Sequence, residues 1–397
     1  MVEALAVERN SLVPSHGVRL PAIDRMRGLV IVLMALDHVR DFFSADALRF
    51  DPTDLARTYP ALFLTRFVTH ICAPTFILLA GVSAFLHATN LDRRGALARF
   101  LLTRGAWLIL LDIAVVSPVW GLEFGWIDLG TLWAIGFSMI VLAGLVWLPP
   151  RAVLLVGALI LIGHNSLDHV HASDFGICAP LWNILHEPGA LPFGLRGAVS
   201  YPVLSWFGIM ALGYGLGYVF LEPAAQRHRQ LKLLGLASIA LFLLLRGTNL
   251  YGDPSPWGAQ RDGVVTALSV LNVTKYPPSL LYALVTLGPA LLLLTAMERL
   301  GGFAGEVLAT FGRVPLFIYL LHLYAAHALA VALWLAEGFE FRQLLGFGVR
   351  SAPPEGLGLG LAGTYAAWIL IMAALYPACQ WFASVKRRRR DWWLSYL

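Results

Sequence analysis

Residues 29–43 read LVIVLMALDHVRDFF. Eight apolar residues run without a break into Asp37 and His38, and Arg40 and Asp41 follow before a Phe pair. In a soluble protein such a helix end would be odd. In lipid it is costly, and an ionisable group there faces protein or water and marks a pathway or a site. The reading of this stretch therefore turns on the medium.

The rest of the chain gives the medium. Of 397 residues 58% are hydrophobic and 13% charged, where soluble domains carry about a quarter charged. With a mean hydropathy of +0.71, this composition excludes an ordinary soluble domain and points to an all-α, polytopic membrane protein. A spanning helix needs about 20 mostly apolar residues. Stretches of that kind lie at 26–43, 63–88, 97–117, 129–147, 150–164, 198–221, 231–246, 278–297, 312–336 and 361–385, which predicts about ten transmembrane helices. The segments 302–311 and 338–360 are the least regular.

Arginine and lysine set the expected orientation. Arg9, Arg19 and Arg25, then Arg93, Arg94, Arg99 and Arg104, then Arg151, Arg227, Arg229, Lys232 and Arg299, and finally the run Lys386 to Arg390, fall on one side of ten spans. Arg40, Arg49, Arg57, Arg196, Arg261 and Lys275 fall on the other. Both termini are expected in the cytoplasm. The expected organisation is a short cytoplasmic leader at 1–20, one transmembrane domain over 21–385 and a basic cytoplasmic tail at 386–397. The leader lacks the apolar core of a signal peptide. The expected setting is the plasma membrane of a bacterium, with the lipid bilayer as surroundings and no nucleic acid as partner. A homo-oligomer is left open. Cys72, Cys178 and Cys379 form neither a disulfide framework nor a C-x-x-C pair, and no metal is expected. The group His164, Asp168, His169 and His171 has an H-x4-H-x-H spacing that fits no established ligand pattern, so a solvated loop is the expectation.

Within the spans, Arg27 and His38 are eleven residues apart. They differ by about 20° in azimuth and about 16 Å in rise, so they share one face of the first helix. Asp37 and Asp41 are four apart, and His38 and Asp41 three, so these side chains can meet. A carboxylate beside an imidazole raises its basicity, as a general base requires. The plainer alternative, charged ends reaching the headgroups, applies best to Arg40 and Asp41. The second span adds Arg66 and His70 on one face, and Pro74 a turn later can bend the helix. His70 is either a second candidate base or a histidine satisfied by a neighbouring carbonyl. Asp112 stands alone in the third span and should pair with a base, from Arg104 or from another helix. His322 and His327 do not share a face, and His322 is the better candidate for a common cavity. Lys275, just before Tyr276-Pro277-Pro278, can touch a substrate.

Arg, ten residues, then His on a first span resembles the signature of membrane acyltransferases. More of the chain is similar to bacterial relatives of heparan-α-glucosaminide N-acetyltransferase, through IDRMRGLVIVLMALDHVRDFF, TRFVTHICAPTFILLAGVSAFL, YPVLSWFGIMALGYGLG, TKYPPSLLYALVTLGPALLLL, GRVPLFIYLLHLYAAH and VKRRRRDWWLSYL. The resemblance implies a transferase that takes acetyl from cytoplasmic acetyl-CoA and delivers it to an acceptor, a sugar amine or hydroxyl or an envelope component, on the outer side. It implies a catalytic histidine in the loop after the first span. Here residues 44–62 hold no histidine, so the expected base is His38, backed by Asp37 and Asp41, or His70. Arg27, Arg93, Arg94 and Arg104 are the candidates for the donor's phosphates and arm, and Arg40, Arg66, Lys275 and His322 for the acceptor. A proton-coupled transporter and a non-catalytic membrane protein are the competing readings.

Overall fold

The computed structural model describes residues 20–89, 93–121, 125–344, 353–389 and 391–395. The expected leader, apart from Leu20, lies outside the described residues, as does Arg390 of the basic run. The helices are α1 (Pro21–Phe43), α2 (Pro60–Thr69), α3 (Cys72–Ala88), α4 (Arg94–Leu111), α5 (Ser117–Gly121), α6 (Thr131–Leu145), α7 (Pro150–Gly163), α8 (Ala179–Leu185), α9 (Val203–Leu216), α10 (Ala224–Thr248), α11 (Gly263–Leu271), α12 (Leu280–Arg299), α13 (Gly302–Arg313), α14 (Pro315–Ala336) and α15 (Leu361–Arg388). Proline opens α1, α2, α7 and α14. At a first helical position its missing N–H would have had no partner and its φ is already helical.

The protein is a mostly helical, polytopic membrane protein. Among the described residues, eight segments are long and apolar enough to cross a bilayer: Pro60–Ala88, Arg94–Trp120, Pro150–Leu167, Val203–Leu221, Ala224–Thr248, Leu280–Arg299, Pro315–Ala336 and Leu361–Arg388. The 23-residue α1 and the 15-residue α6 occupy the other two expected positions. The irregular stretch before the ninth expected span holds a separate short helix, α13.

Burial sorts the helices. Leu233, Leu236 and Leu244 of α10 are all more than half exposed, as expected of side chains against lipid tails. In α1, by contrast, Met26, Val30, Ile31, Ala35 and Val39 are wholly buried. That helix is surrounded by α2, α3, α12, α13, α14 and α15. Its crossing with α13 is backbone on backbone. A Cβ on Gly28 would sit 1.8 Å from the Leu308 carbonyl oxygen, and one on Gly312 would sit 1.7 Å from that of Asp24. Only glycine permits this approach, the small-residue packing usual between membrane helices.

The second expected span is broken between α2 and α3, at His70-Ile71. Pro74 explains it, since it has no N–H to offer the His70 carbonyl four residues back. That carbonyl instead accepts the Tyr282 hydroxyl at 2.8 Å. Asp112 corrects another expectation. Its carboxylate accepts the backbone N–H of Gly130 at 2.7 Å and of Trp133 at 3.1 Å, so its partner is the N-terminus of α6, where the peptide dipoles favour an anion. The residues Asp112–Val116 form a π turn that extends α4.

The loops add a small sheet that hydropathy did not anticipate. β1 (Ile127–Leu129), β2 (Gly189–Ala190) and β3 (Gly197–Val199) are ordered β1-β3-β2, with β1 parallel and β2 antiparallel to β3. The register Asp128 to Ala198 brings Ser200 beside Asp128.

Candidate functional site

The polar end of α1 is an interior charge cluster. The Asp37 carboxylate faces Arg66 at 2.6 Å and Arg40 at 2.7 Å, and accepts the Thr69 hydroxyl at 2.5 Å. Arg40 also donates to Asp41 at 2.6 Å. Its contact with Asp37 is close in distance but off the hydrogen-bond line. Arg40 is only 1% exposed, so the expectation that it reaches the headgroups is corrected: two acids and two guanidinium groups neutralise one another inside the protein. Breaking such a set costs far more than it gains in stability when intact.

His38 stands beside this cluster and does not bond to it. The expected carboxylate partner is corrected to a second imidazole, since His38 Nδ1 lies 2.8 Å from His322 Nε2. His322 Nδ1 lies 2.7 Å from the Ile318 carbonyl. A carbonyl only accepts, so with both rings neutral His322 carries its proton on Nδ1 and accepts on Nε2. His38 then donates from Nδ1, which leaves the lone pair on Nε2. The ring is held edge-on by Trp120, at 5.3 Å between centroids, and by Tyr319, at 6.0 Å. His38 thus has the tautomer of a base with its free nitrogen held in place by α14.

A cavity of about 430 Å³ opens onto His38. Asp37, Asp41 and Arg66 border it from α1 and α2, Asp128 and Ser200 from the sheet, and Lys275, Tyr276 and Tyr201 from the loops. The Lys275 ammonium lies 5.0 Å from the Tyr276 ring centroid, and the Tyr201 and Tyr276 hydroxyls are 3.4 Å apart. Burial alone would raise the Tyr276 phenol, but the charges of Lys275 and Arg66 outweigh it and hold the group below its ordinary value. Burial pushes the neighbouring Tyr201 well up, and the Asp128 carboxyl up, although the Ser200 hydroxyl donates to Asp128.

A second cavity, of about 240 Å³, opens at the other end of α1. Its polar lining is Asp24, Arg27, Arg104, Arg313 and Lys386, and its depth is walled by Ile31, Met34, Leu108, Ile135, Met139 and Leu316. Arg27 donates to the Ser83 hydroxyl. Thr131 and Tyr319 line both cavities. The two recesses, one basic and one around His38, therefore both border the start of α6 and the second turn of α14.

The structure thus brings His38, Asp37, Asp41, Arg66 and Lys275 to one cavity, Arg27 and Arg104 to the other, and His322 and Arg40 directly behind the first. It separates the rest. Arg93 and Arg94 are exposed and line neither cavity, and Arg94 donates to the Trp147 carbonyl. His70 is buried with its ring against Phe67 and Tyr282, and it lines neither cavity. Arg313, Lys386, Thr131, Tyr319, Asp128 and Ser200 were missed. Lys386 belongs to a run that the positive-inside rule already explained, Arg313 was not singled out, and Asp128 and Ser200 meet only through the sheet.

The pairing of a basic, apolar-walled recess with a polar one around an imidazole suits group transfer from an anionic donor. Residues 19–250, more than half of the chain, match the family model described as "Heparan-alpha-glucosaminide N-acetyltransferase, catalytic". No curated protein matches the chain.

Proposed function

Because the chain belongs to the heparan-α-glucosaminide N-acetyltransferase catalytic family, we propose that this membrane protein takes an acetyl group from acetyl-CoA at the basic cavity and passes it to an amine or hydroxyl acceptor at the cavity around His38. The observation that carries this reading is that both cavities reach Thr131 and Tyr319, one from each end of α1. The residues present suit the donor. Arg104, Arg313 and Lys386 at the mouth match a polyanion, and the apolar walls beyond them match a slim arm. Acetyl-CoA, when bound, supplies an activated thioester carbonyl.

The chain's own groups then do the following. His38 Nε2 takes a proton from the acceptor as its nitrogen or oxygen bonds to the acetyl carbonyl carbon, and returns that proton to the departing thiolate. His322 accepts from His38 Nδ1 throughout and so orients the ring and stabilises its cationic form. Lys275 and the Tyr276 hydroxyl are the donors nearest to hand for charge developing on the carbonyl oxygen. Asp37, Arg40, Arg66 and Thr69 brace the end of α1. Following the positive-inside rule, the Arg-rich connections and the basic cavity face the cytoplasm of a bacterium, and the His38 cavity faces out.

The test is release of free CoA by protein purified into nanodiscs, with acetyl-CoA and glucosamine as probe acceptor. His38→Gln should lower the rate about 10²- to 10⁴-fold, the range for removing a general base, while His70→Ala should leave it within a few-fold. Equal losses in the two variants would remove His38 from its role. Proton flux through proteoliposomes without any acyl-CoA would favour transport instead.

A further inference from the structure

We propose that His164, Asp168 and His186 form a binding site for a divalent first-row transition ion, apart from both cavities. His164 follows the last residue of α7 and opens the 3₁₀ turn His164–Leu167, Asp168 follows that turn, and His186 follows α8. One nitrogen from each histidine and one Asp168 oxygen lie within 4.8 Å of one another. The expectation of a solvated loop is thereby corrected for His164, which is 2% exposed, and His186, a histidine the spacing did not include, is 3% exposed. His169 and His171 take no part in the group.

The unmet bonding capacity of the site is what asks for a ligand. Neither ring nitrogen of His164 has a hydrogen-bond partner in good geometry, and Nδ1 of His186 has none. The Pro278 carbonyl lies beside His164 but is poorly aligned. His186 Nε2 and Asp168 Oδ1 are 3.5 Å apart, long for a direct bond. The other Asp168 oxygen accepts from Asn165 at 2.8 Å, and Asn165 in turn accepts the Leu280 backbone N–H at 2.9 Å. The carboxylate is thus already held by a second group, as ligands of metal ions are.

The donor set narrows the ion. Two imidazoles and one carboxylate suit zinc and its first-row neighbours, whereas calcium and magnesium take all-oxygen shells. Three protein donors leave one position for water. Zinc ligands in a tetrahedron stand about 3.4 Å apart for bonds of about 2.0–2.1 Å, so side-chain rotation drawing the donors in by roughly 1 Å completes the site. Pro188, two residues beyond His186, lines the cavity around His38, and β2 begins at Gly189. A bound ion would tie this cavity wall to the end of α7 and so act as a positioning element.

The experiment strips the full-length protein in nanodiscs with EDTA, returns Zn²⁺, removes the excess and measures metal per chain. Wild type and His171→Ala, altered at an exposed neighbour, should hold about one ion, and zinc should raise their melting temperature. His164→Ala, His186→Ala and Asp168→Asn should each lose at least tenfold in occupancy at a fixed free zinc level, together with the thermal shift. X-ray absorption on the wild-type protein needs no variant. Two nitrogens and an oxygen at about 2.0–2.1 Å support the site. Substoichiometric metal in wild type, an all-oxygen shell, or undiminished binding in the folded variants overturns it, and the cluster is then a buried polar contact alone.

Discussion

Replacement of His322 by Leu tests the tautomer chain directly. His322 is wholly buried and lines neither of the two cavities, yet its Nε2 lies 2.8 Å from His38 Nδ1. Leucine fills comparable space and leaves the His38 N–H without an acceptor. If His38 becomes cationic in the transition state, the lost bond is one to a charged group, worth about 1.5–3 kcal/mol. The neutral bond lost from the ground state is worth about 0.5–1.5 kcal/mol, so the net effect is about 1–1.5 kcal/mol, and at 1.36 kcal/mol per tenfold kcat should fall about 5- to 13-fold. The neutral bond is lost alike from the free enzyme and its complexes, so KM for both substrates should hold. His322→Gln retains an acceptor and should recover part of the rate. The assay is CoA release in nanodiscs, with melting temperature measured alongside. A folded His322→Leu protein with kcat within twofold of wild type would refute the claim that this ring holds the base. A raised KM with unchanged kcat would show that the residue shapes the cavity instead.

Three other outcomes follow from the geometry. Asp37→Ala takes from Arg66 the carboxylate it faces and leaves Arg40 with Asp41 alone, and should destabilise the fold by about 3–5 kcal/mol, read as loss of thermal stability; a change under 1 kcal/mol would mean that water reaches the cluster. Arg313→Glu and Lys386→Glu should each raise KM for acetyl-CoA several-fold with little change in kcat, and the wild-type KM should itself rise with salt; salt-independent binding would remove the basic mouth from donor recognition. Burial raises the Asp128 carboxyl in the folded protein, so the stability it lends is complete below the ordinary value of about 3.9 and is lost as pH rises through the raised one. Asp128→Asn should therefore match wild type in melting temperature near pH 4 and exceed it at pH 7, and a gap that ignores pH would contradict the burial.

The spans were legible because a helix in lipid must be mostly apolar over its full length, and α3, α9 and α14 carry no Asp, Glu, Lys or Arg. The shared face of Arg27 and His38 was legible too, since 3.6-residue periodicity needs no partner. What escaped was everything set by a second element. His38 looks toward α14 and not along α1 to Asp41, because its nearest acceptor is contributed 284 residues away. Arg93 and Arg94 satisfied the charge rule but emerge on exposed backbone, while Arg313 is carried to the basic cavity by α13, a helix whose tight glycine crossing with α1 no hydropathy window detects. Asp128 and Ser200 are neighbours only through the parallel pairing of β1 with β3.

The approach of both cavities to Thr131 and Tyr319 also has an electrical consequence. A bilayer drops its voltage over about 30 Å of hydrocarbon. Where water enters from both sides, the drop is compressed into the thin partition that remains. One elementary charge crossing that partition is worth about 2.3 kcal/mol per 100 mV. In the proposed orientation the proton taken by His38 from an outer acceptor finishes on an inner thiolate, so it moves inward with the field of a cell that is negative inside. Turnover in proteoliposomes should then quicken when a potassium gradient with valinomycin makes the cytoplasmic face negative, and a rate indifferent to voltage would mean that the proton leaves by the side from which it came.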